Sequence, residues 1–309
     1  MAAKILSGRQ IADAIKAEIA GEVRELRTAK NIIPALTAVR VGDDAASAVY
    51  VANKVSTCEE LGIISEHRHL PTQTSELQLL DIVNELNRAP DIDGILVQLP
   101  LPKHIDEARI LDAIDPNKDV DGFHPINVGR LSQGRQSLVP CTPAGVIQIL
   151  KRSGVEIAGK NAAVIGRSNI VGKPMAALLL QENATVTICH SRTHELSSIT
   201  SKADIIVAAI GRPGFVTADH IREGAVVIDV GINSVSDPTR LSEFFEGDEL
   251  EKRLTAIEKR GATLVGDVCH KDAMNKAGVF TPVPGGVGLL TIAMLMRNTV
   301  DAAKARRDI

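Results

Sequence analysis

Tryptophan is absent from this 309-residue sequence, tyrosine occurs once and phenylalanine five times. So thin an aromatic content argues against a surface that binds single-stranded nucleic acid by stacking its bases, and it singles out Tyr50. Cysteine is scarce too. Cys58, Cys141, Cys189 and Cys269 lie far apart with no C-x-x-C pair, which excludes a disulfide framework and a cysteine zinc site and predicts reduced, mostly buried thiols. The longest apolar runs, Ile205 to Ile210 and Met175 to Leu180, are far too short to span a bilayer, and the first residues lack the apolar core of a secretory signal. A cytoplasmic protein with no membrane partner is expected. Neither sign of charge dominates. Lys and Arg number 35 against 38 Asp and Glu, a net charge of -3, so nothing global draws the chain toward nucleic acid.

Apolar residues are 44% of the chain, and its length suits two domains at roughly 150 residues each. The first half alternates helix and strand. Ile11, Ile15, Ile19, Val23 and Leu26 recur at helical spacing, and the β-branched run from Ala35 to Gly42 follows as a strand. A helix over 46–61, a strand over 63–70, a helix over 75–88, the strand 94–99 and a helix over 104–114 continue the pattern, which implies a largely parallel sheet. Residues 115–143 are rich in Pro, Gly, Asp and Asn, and the domain junction is placed there. The second half restarts with a helix over 142–153, the strand 161–166, a helix over 173–181 and short strands near 184–189, 203–211 and 225–231. That is the pattern of a doubly wound nucleotide-binding domain. Residues 236–260 read as a solvated surface helix with a narrow stripe of Leu250, Leu254 and Ile257. The last helix, 288–306, is expected to pack back on the first domain.

After the strand ending at Ile165 the chain runs Gly166-Arg-Ser-Asn-Ile-Val-Gly172-Lys-Pro174 into a helix. Glycines there let the backbone approach phosphate oxygens, and a helix N-terminus offers unpaired N–H groups. The spacing is G-x-x-x-x-x-G rather than G-x-G-x-x-G, so the turn is suggestive only within its α/β context. The next strand ends in Cys189-His190-Ser191-Arg192-Thr193, where an NAD enzyme would carry an acid against the ribose 2′-hydroxyl. Hydroxyls and a basic residue stand there instead, and Arg167 can add a bidentate contact, so NADP is the inferred cofactor. His190 and His194 have no apparent third ligand, and no metal site is expected.

Ser47, Tyr50 and Lys54 fall at i, i+3 and i+7 on one helical face. A lysine serves as a proton carrier when burial or a neighbouring cation reduces its basicity; a half-exposed helix with a snorkelling lysine is the plainer alternative. Gln98 sits at the C-terminal end of a buried strand, where ligands of parallel sheets bind. The stretch Asp115-Pro-Asn-Lys-Asp-Val-Asp121-Gly lacks the glycine and glutamate of a calcium loop, since Val120 and Ile126 stand there. Asp121 is then free to accept two parallel N–H bonds from an amino-pyrimidinone ring. Thr281-Pro-Val-Pro-Gly-Gly-Val-Gly288 offers a glycine-rich backbone that can lie flat on a ligand or serve as a plain structural loop.

Together these pieces resemble the bifunctional methylenetetrahydrofolate dehydrogenase/methenyltetrahydrofolate cyclohydrolase family. The matching motifs are Ser47-Ala-Val-Tyr50-Val-Ala-Asn-Lys54, Val97-Gln98-Leu-Pro-Leu-Pro102, Lys118-Asp-Val-Asp121-Gly-Phe, Pro140-Cys-Thr-Pro-Ala-Gly145, the turn from Gly166 to Pro174, and Pro282-Val-Pro-Gly-Gly-Val-Gly288. The resemblance implies an N-terminal α/β substrate domain (1–139 with 283–309), a Rossmann-like NADP-binding domain (140–282), a cleft between them and a homodimer. It implies oxidation of 5,10-methylenetetrahydrofolate by hydride transfer to NADP⁺, then hydrolysis to 10-formyltetrahydrofolate. Lys54 becomes the central cyclohydrolase residue, with Gln98 and Tyr50 positioning it and the folate. Asp121 binds the pterin; Ser47, Val97, Leu99, Gly285, Gly286 and Val287 line the folate site. Gly166, Arg167, Ser168 and Ile170 match the pyrophosphate turn, Ser191 the 2′-phosphate side, and Ile232 the nicotinamide, with Thr142 a further cofactor contact. A monofunctional dehydrogenase, an NADP-linked hydroxy-acid oxidoreductase and a silent NADP sensor using 236–260 remain as alternatives.

Overall fold

The computed structural model describes residues 2–307 and 309, with residues 45 and 46 by backbone alone; Met1 and Asp308 lie outside the described residues. The chain opens with a short strand β1 (Lys4–Ile5) and a long helix α1 (Gly8–Lys30), then alternates β2 (Ala35–Val41), α2 (Ala45–Leu61), β3 (Ile64–Leu70), α3 (Glu76–Arg88) and β4 (Gly94–Val97). Helices α4 (Glu107–Asp112), α5 (Pro125–Ser132) and α6 (Cys141–Arg152) follow. Next come β5 (Asn161–Ile165), α7 (Gly172–Gln181), β6 (Thr185–Cys189), α8 (Leu196–Thr200), β7 (Ile205–Ala208), β8 (Val226–Asp229) and β9 (Asn233–Val235). The chain ends with α9 (Leu241–Phe244), α10 (Gly247–Arg260), β10 (Thr263–Val265), α11 (His270–Lys276), β11 (Val279–Phe280) and α12 (Gly288–Ala305).

Two compact units emerge. One comprises residues 12–141 and 292–309, the other 1–11 and 142–291. The first is built on a parallel sheet in the order β3-β2-β4. Every residue of β2 is buried, as a central parallel strand covered on both faces requires. Its core gathers Val39, Leu79, Val83, Ile95 and Ile110. Helix α2 starts where the Asp44 carboxylate accepts the Ser47 N–H, and it stops at Gly62, whose φ of +76° suits a residue without Cβ. The second unit holds a six-stranded parallel sheet, β1-β11-β8-β7-β5-β6. The order reverses between β5 and β7, which opens a crevice at their C-terminal ends.

Several regions differ from the sequence reading. Residues 1–11, expected with the substrate half, group with the nucleotide half, because β1 pairs with β11 and Gly8 N–H donates to Gly285 O at 2.8 Å. The same grouping takes in residues 283–291. The irregular stretch after Asp115 contains α5, started by His124, whose side chain accepts the Ile126 N–H. Helix α4 is shorter than the expected 104–114, since Asp106 caps it.

The charged segment 236–260 is more than a solvated helix. Val235, Leu241, Phe244, Phe245 and Val265 form a buried core of their own, and Leu250, Leu254 and Ile257 pack on it. Arg253, 7% exposed, stacks over Phe245 and donates to Glu249, Leu264 O and Val283 O. Removing Phe244 empties that core: Phe244→Ala is expected to cost about 3–5 kcal/mol. Leu264→Ala, on an exposed side chain, is expected to stay within about 0.5 kcal/mol. Equal losses in chemical denaturation would contradict the packed reading.

Candidate functional site

In the first unit, Lys54 is 9% exposed, and its Nζ donates to Gln98 Oε1 at 2.9 Å. Gln98 is held in turn: its backbone N–H continues the sheet to Val39 O, and its Nε2 donates to Leu99 O at 2.7 Å. The lysine therefore rests on a neutral oxygen, which orients it without cancelling its charge. Ser47, on the same helical face, is buried at the first turn, whereas Tyr50 is 41% exposed and presents its ring to solvent. Val97, expected to line the folate site, has its side chain in the core; Leu99 packs partly against that core.

Asp121 lies within electrostatic reach of Lys54. Burial pushes its carboxyl up to about 6, the Lys54 charge opposes that rise, and the neighbouring Asp119 adds to it. Asp119 has a different task. It is buried and accepts N–H bonds from Gly122, His124 and Asn127, which fixes the loop that presents Asp121. Lys118 is buried as well, with its amine on Leu86 O and Ala89 O. Gly122 has φ +73°, and a Cβ there would meet Pro140 N at 2.6 Å. Cys141 stands close by, and burial and the Asp121 charge push its thiol well above the usual range, which favours the protonated form. Asn298 Nδ2 donates to Val120 O and Val139 O, both at 2.8 Å.

In the second unit, a cavity of about 310 Å³ opens at the ends of β5, β6 and β7. Gly166, Arg167, Ser168 and Ser191 line it, as does His190. The turn admits no side chain at its glycines: a Cβ on Gly166 would lie 2.2 Å from Ala209 O, and one on Gly172 would lie 2.3 Å from Gly166 O. Ser168 Oγ accepts the Val171 and Gly172 N–H groups, which tightens the turn and leaves the hydroxyl proton to donate. Among the described residues no Asp or Glu lines the cavity, so its charge suits a phosphate-bearing dinucleotide. Ile170 and Ile232 are exposed outside it, at 41% and 46%. Thr142 is turned elsewhere, with its hydroxyl 3.0 Å from that of Thr291. His190 Nδ1 accepts the Arg192 N–H, and among the described residues no three His, Cys, Asp or Glu side chains gather to hold a metal. In the glycine-rich loop, Gly285 has φ +106°, and a Cβ on Gly286 would meet Pro282 O at 2.6 Å; Val287 is buried.

A model of the tetrahydrofolate dehydrogenase/cyclohydrolase catalytic domain matches residues 6–121, and one of the NAD(P)-binding domain matches residues 140–307. The chain belongs to the tetrahydrofolate dehydrogenase/cyclohydrolase family. Within the family, it is 58% identical to the bifunctional protein FolD of Koribacter versatilis over 99% of both chains, and 52% identical to that of Moorella thermoacetica over 98% and 100%. Among solved structures, the FolD enzyme of Campylobacter jejuni superposes with a TM-score of 0.88 at 43% identity, covering 99% of this chain and 100% of that one. The Trypanosoma brucei enzyme, crystallised with NADP and an inhibitor, gives 0.89 at 38% identity, with all of both chains covered.

Arg212 and Asp267 escaped the sequence reading. Asp267 is fully buried and accepts the backbone N–H groups of Ile210, Gly211 and Arg212, which fixes one wall of the cavity. The only local signal is its Gly-Asp-Val context, which says nothing of a contact more than fifty residues away.

The raised carboxyl of Asp121 has a pH signature. Its folded value of about 6 stands above the ordinary 3.8, so the native state is favoured below pH 4 and loses that advantage as pH rises through 6. Asp121→Asn is therefore expected to gain up to about 3 kcal/mol of stability at pH 8, with the gain gone near pH 4. Urea denaturation at the two pH values reads the difference; a gain present at both would contradict it.

Proposed function

We propose that the chain oxidises 5,10-methylenetetrahydrofolate with NADP⁺ and hydrolyses the resulting 5,10-methenyltetrahydrofolate to 10-formyltetrahydrofolate. The observation that carries this reading is the Lys54 amine, nearly closed off from water and held by the Gln98 amide oxygen at 2.9 Å. A lysine that only bound folate would be expected to pair with a substrate carboxylate at the surface. Here it sits beside Asp121 instead.

Held in the cavity lined by Gly166, Arg167, Ser168 and Ser191, NADP⁺ would supply the hydride acceptor for the methylene carbon, chemistry that asks for alignment and no acid or base. The chain's own residues carry the second step. A water oxygen joins the methenyl carbon and loses one proton, giving a neutral carbinolamine. The hydroxyl then loses the second proton to form the formyl C=O as the bond from that carbon to N5 breaks and N5 takes up a proton, so one proton is released net. Lys54 Nζ is the group that moves those protons, and Gln98 aims it. Asp121, its loop fixed by Asp119, accepts the N–H groups of the amino-pyrimidinone, while the exposed Tyr50 ring offers a stacking face. Arg167, Ser168 and Ser191 hold the phosphates, with Arg167 and Ser191 on the 2′-phosphate side.

No helix among the described residues is long and apolar enough to cross a membrane. We read the enzyme as a cytoplasmic homodimer. The family resemblance supports the dimer, as does the exposure of Leu180 and Ile188 on α7 and the edge strand β6.

Chromatography of the products formed from 5,10-methylenetetrahydrofolate and NADP⁺, against an enzyme-free control, tests both activities at once. Enzyme-dependent 10-formyltetrahydrofolate is expected; accumulating methenyltetrahydrofolate would leave a dehydrogenase alone. Lys54→Met is expected to abolish hydrolysis while leaving NADP⁺ affinity unchanged, because the cofactor cavity belongs to the other unit. Undiminished hydrolysis by that variant would remove Lys54 from the mechanism.

A further inference from the structure

Arg212 lines the same cavity as Arg167, Ser168 and Ser191, although it follows a different strand, β7. Its guanidinium carbon lies 4.5 Å from the centroid of the Phe215 ring, and it makes no ion pair among the described residues. Among the described residues the wall around it has no carboxylate to neutralise it. An unpaired cation facing a cavity free of acids is poised for an anionic ligand group.

The backbone beneath it is anchored. Arg212 N–H donates to Asp267 Oδ1 at 2.7 Å, while Ile210 and Gly211 donate to Oδ2 of the same carboxylate at 2.6 and 3.0 Å. Asn233 Nδ2 donates to Oδ1 at 3.0 Å, and Asp267 N–H is itself taken by Asp229 Oδ1. Both carboxylates are buried. The Phe215 ring then supports the guanidinium from one side. Main-chain anchoring and ring stacking together reduce the freedom an arginine loses on gripping a ligand. Plain surface arginines usually lack both.

We infer that Arg212 is a second specificity-determining cation for the 2′-phosphate of NADP, acting from the end of β7 in the cavity that Arg167 on the β5 turn also lines. A phosphate dianion presents three acceptor oxygens, more than one guanidinium can satisfy, and NAD presents a single hydroxyl at the same place. Two arginines from separate strands therefore favour the phosphorylated dinucleotide over NAD more than either does alone.

Direct binding of NADPH and NADH, by calorimetry or by the emission of the reduced nicotinamide, tests this without turnover. Arg212→Gln is expected to raise the NADPH dissociation constant about tenfold or more while the NADH value changes less than about twofold. Arg212→Lys, which keeps the charge and loses the planar fork, is expected to fall between. The native protein's NADPH affinity is expected to weaken more steeply with salt than that of Arg212→Gln. A loss shared equally by NADPH and NADH would overturn the inference and make Arg212 a wall for the common adenosine; no loss in either would also overturn it. Arg167→Gln, measured in parallel, separates the two readings. If it loses NADPH selectivity while Arg212→Gln does not, only the inference about Arg212 fails. If neither loses selectivity, the 2′-phosphate lies elsewhere and the assignment of Arg167 fails with it.

Discussion

Among the described residues four aspartates are taken out of water, and three of them hold the loops at the two candidate sites. Asp93, Asp119, Asp229 and Asp267 are each at most 1% exposed. A lone carboxylate in such a place would be prohibitively costly, so each collects donors. Asp93 takes the Ala35 N–H together with the guanidinium groups of Arg306 and Arg307. Asp229 takes the N–H groups of Gly231, Asp267 and Val268, yet burial still pushes its carboxyl up to about 8. The donors on Asp119, Asp229 and Asp267 are mainly loop N–H groups that a turning backbone would otherwise leave with no partner. Those three buried acids thereby turn loops into fixed surfaces.

That arrangement explains a division of labour between neighbours. Asp119 and Asp121 are two residues apart, and one is spent inside the fold while the other remains half-buried beside Lys54. In the second unit, Asp267 holds the strand-end loop and leaves the Arg212 side chain to face the cavity. Lys54 follows the same economy of charge. Its immediate partner is an amide oxygen, and Asp121, within electrostatic reach, is presented on a loop fixed independently.

The alternation of helix and strand was legible because a buried parallel strand such as β2 must be almost wholly apolar, and α1 and α3 carry their core residues at helical spacing. The placement of Lys54, Gln98 and Tyr50 followed from position on those elements. What escaped depends on partners distant in sequence. β1 exists only because β11 lies beside it, and the core under 236–260 needs Val265 from the following strand. Lys118 and Asp119 share a motif with Asp121, and nothing in the local pattern separates the two buried, structurally engaged members from Asp121. Arg212 looked like any surface arginine until Asp267 and Phe215 were seen around it.

The scarcity of aromatic side chains has an optical consequence. With no indole in the chain and only one phenol, near-ultraviolet absorption above the phenylalanine bands belongs almost entirely to Tyr50. Its emission therefore originates at a single address, on the helix that carries Lys54 and one turn before it. Nothing in the polypeptide overlaps the glow of a reduced nicotinamide. The first unit thus carries one intrinsic spectroscopic label, the Tyr50 phenol one turn before Lys54, and a reduced dinucleotide, once bound, would be a second that can be followed independently in the unmodified protein.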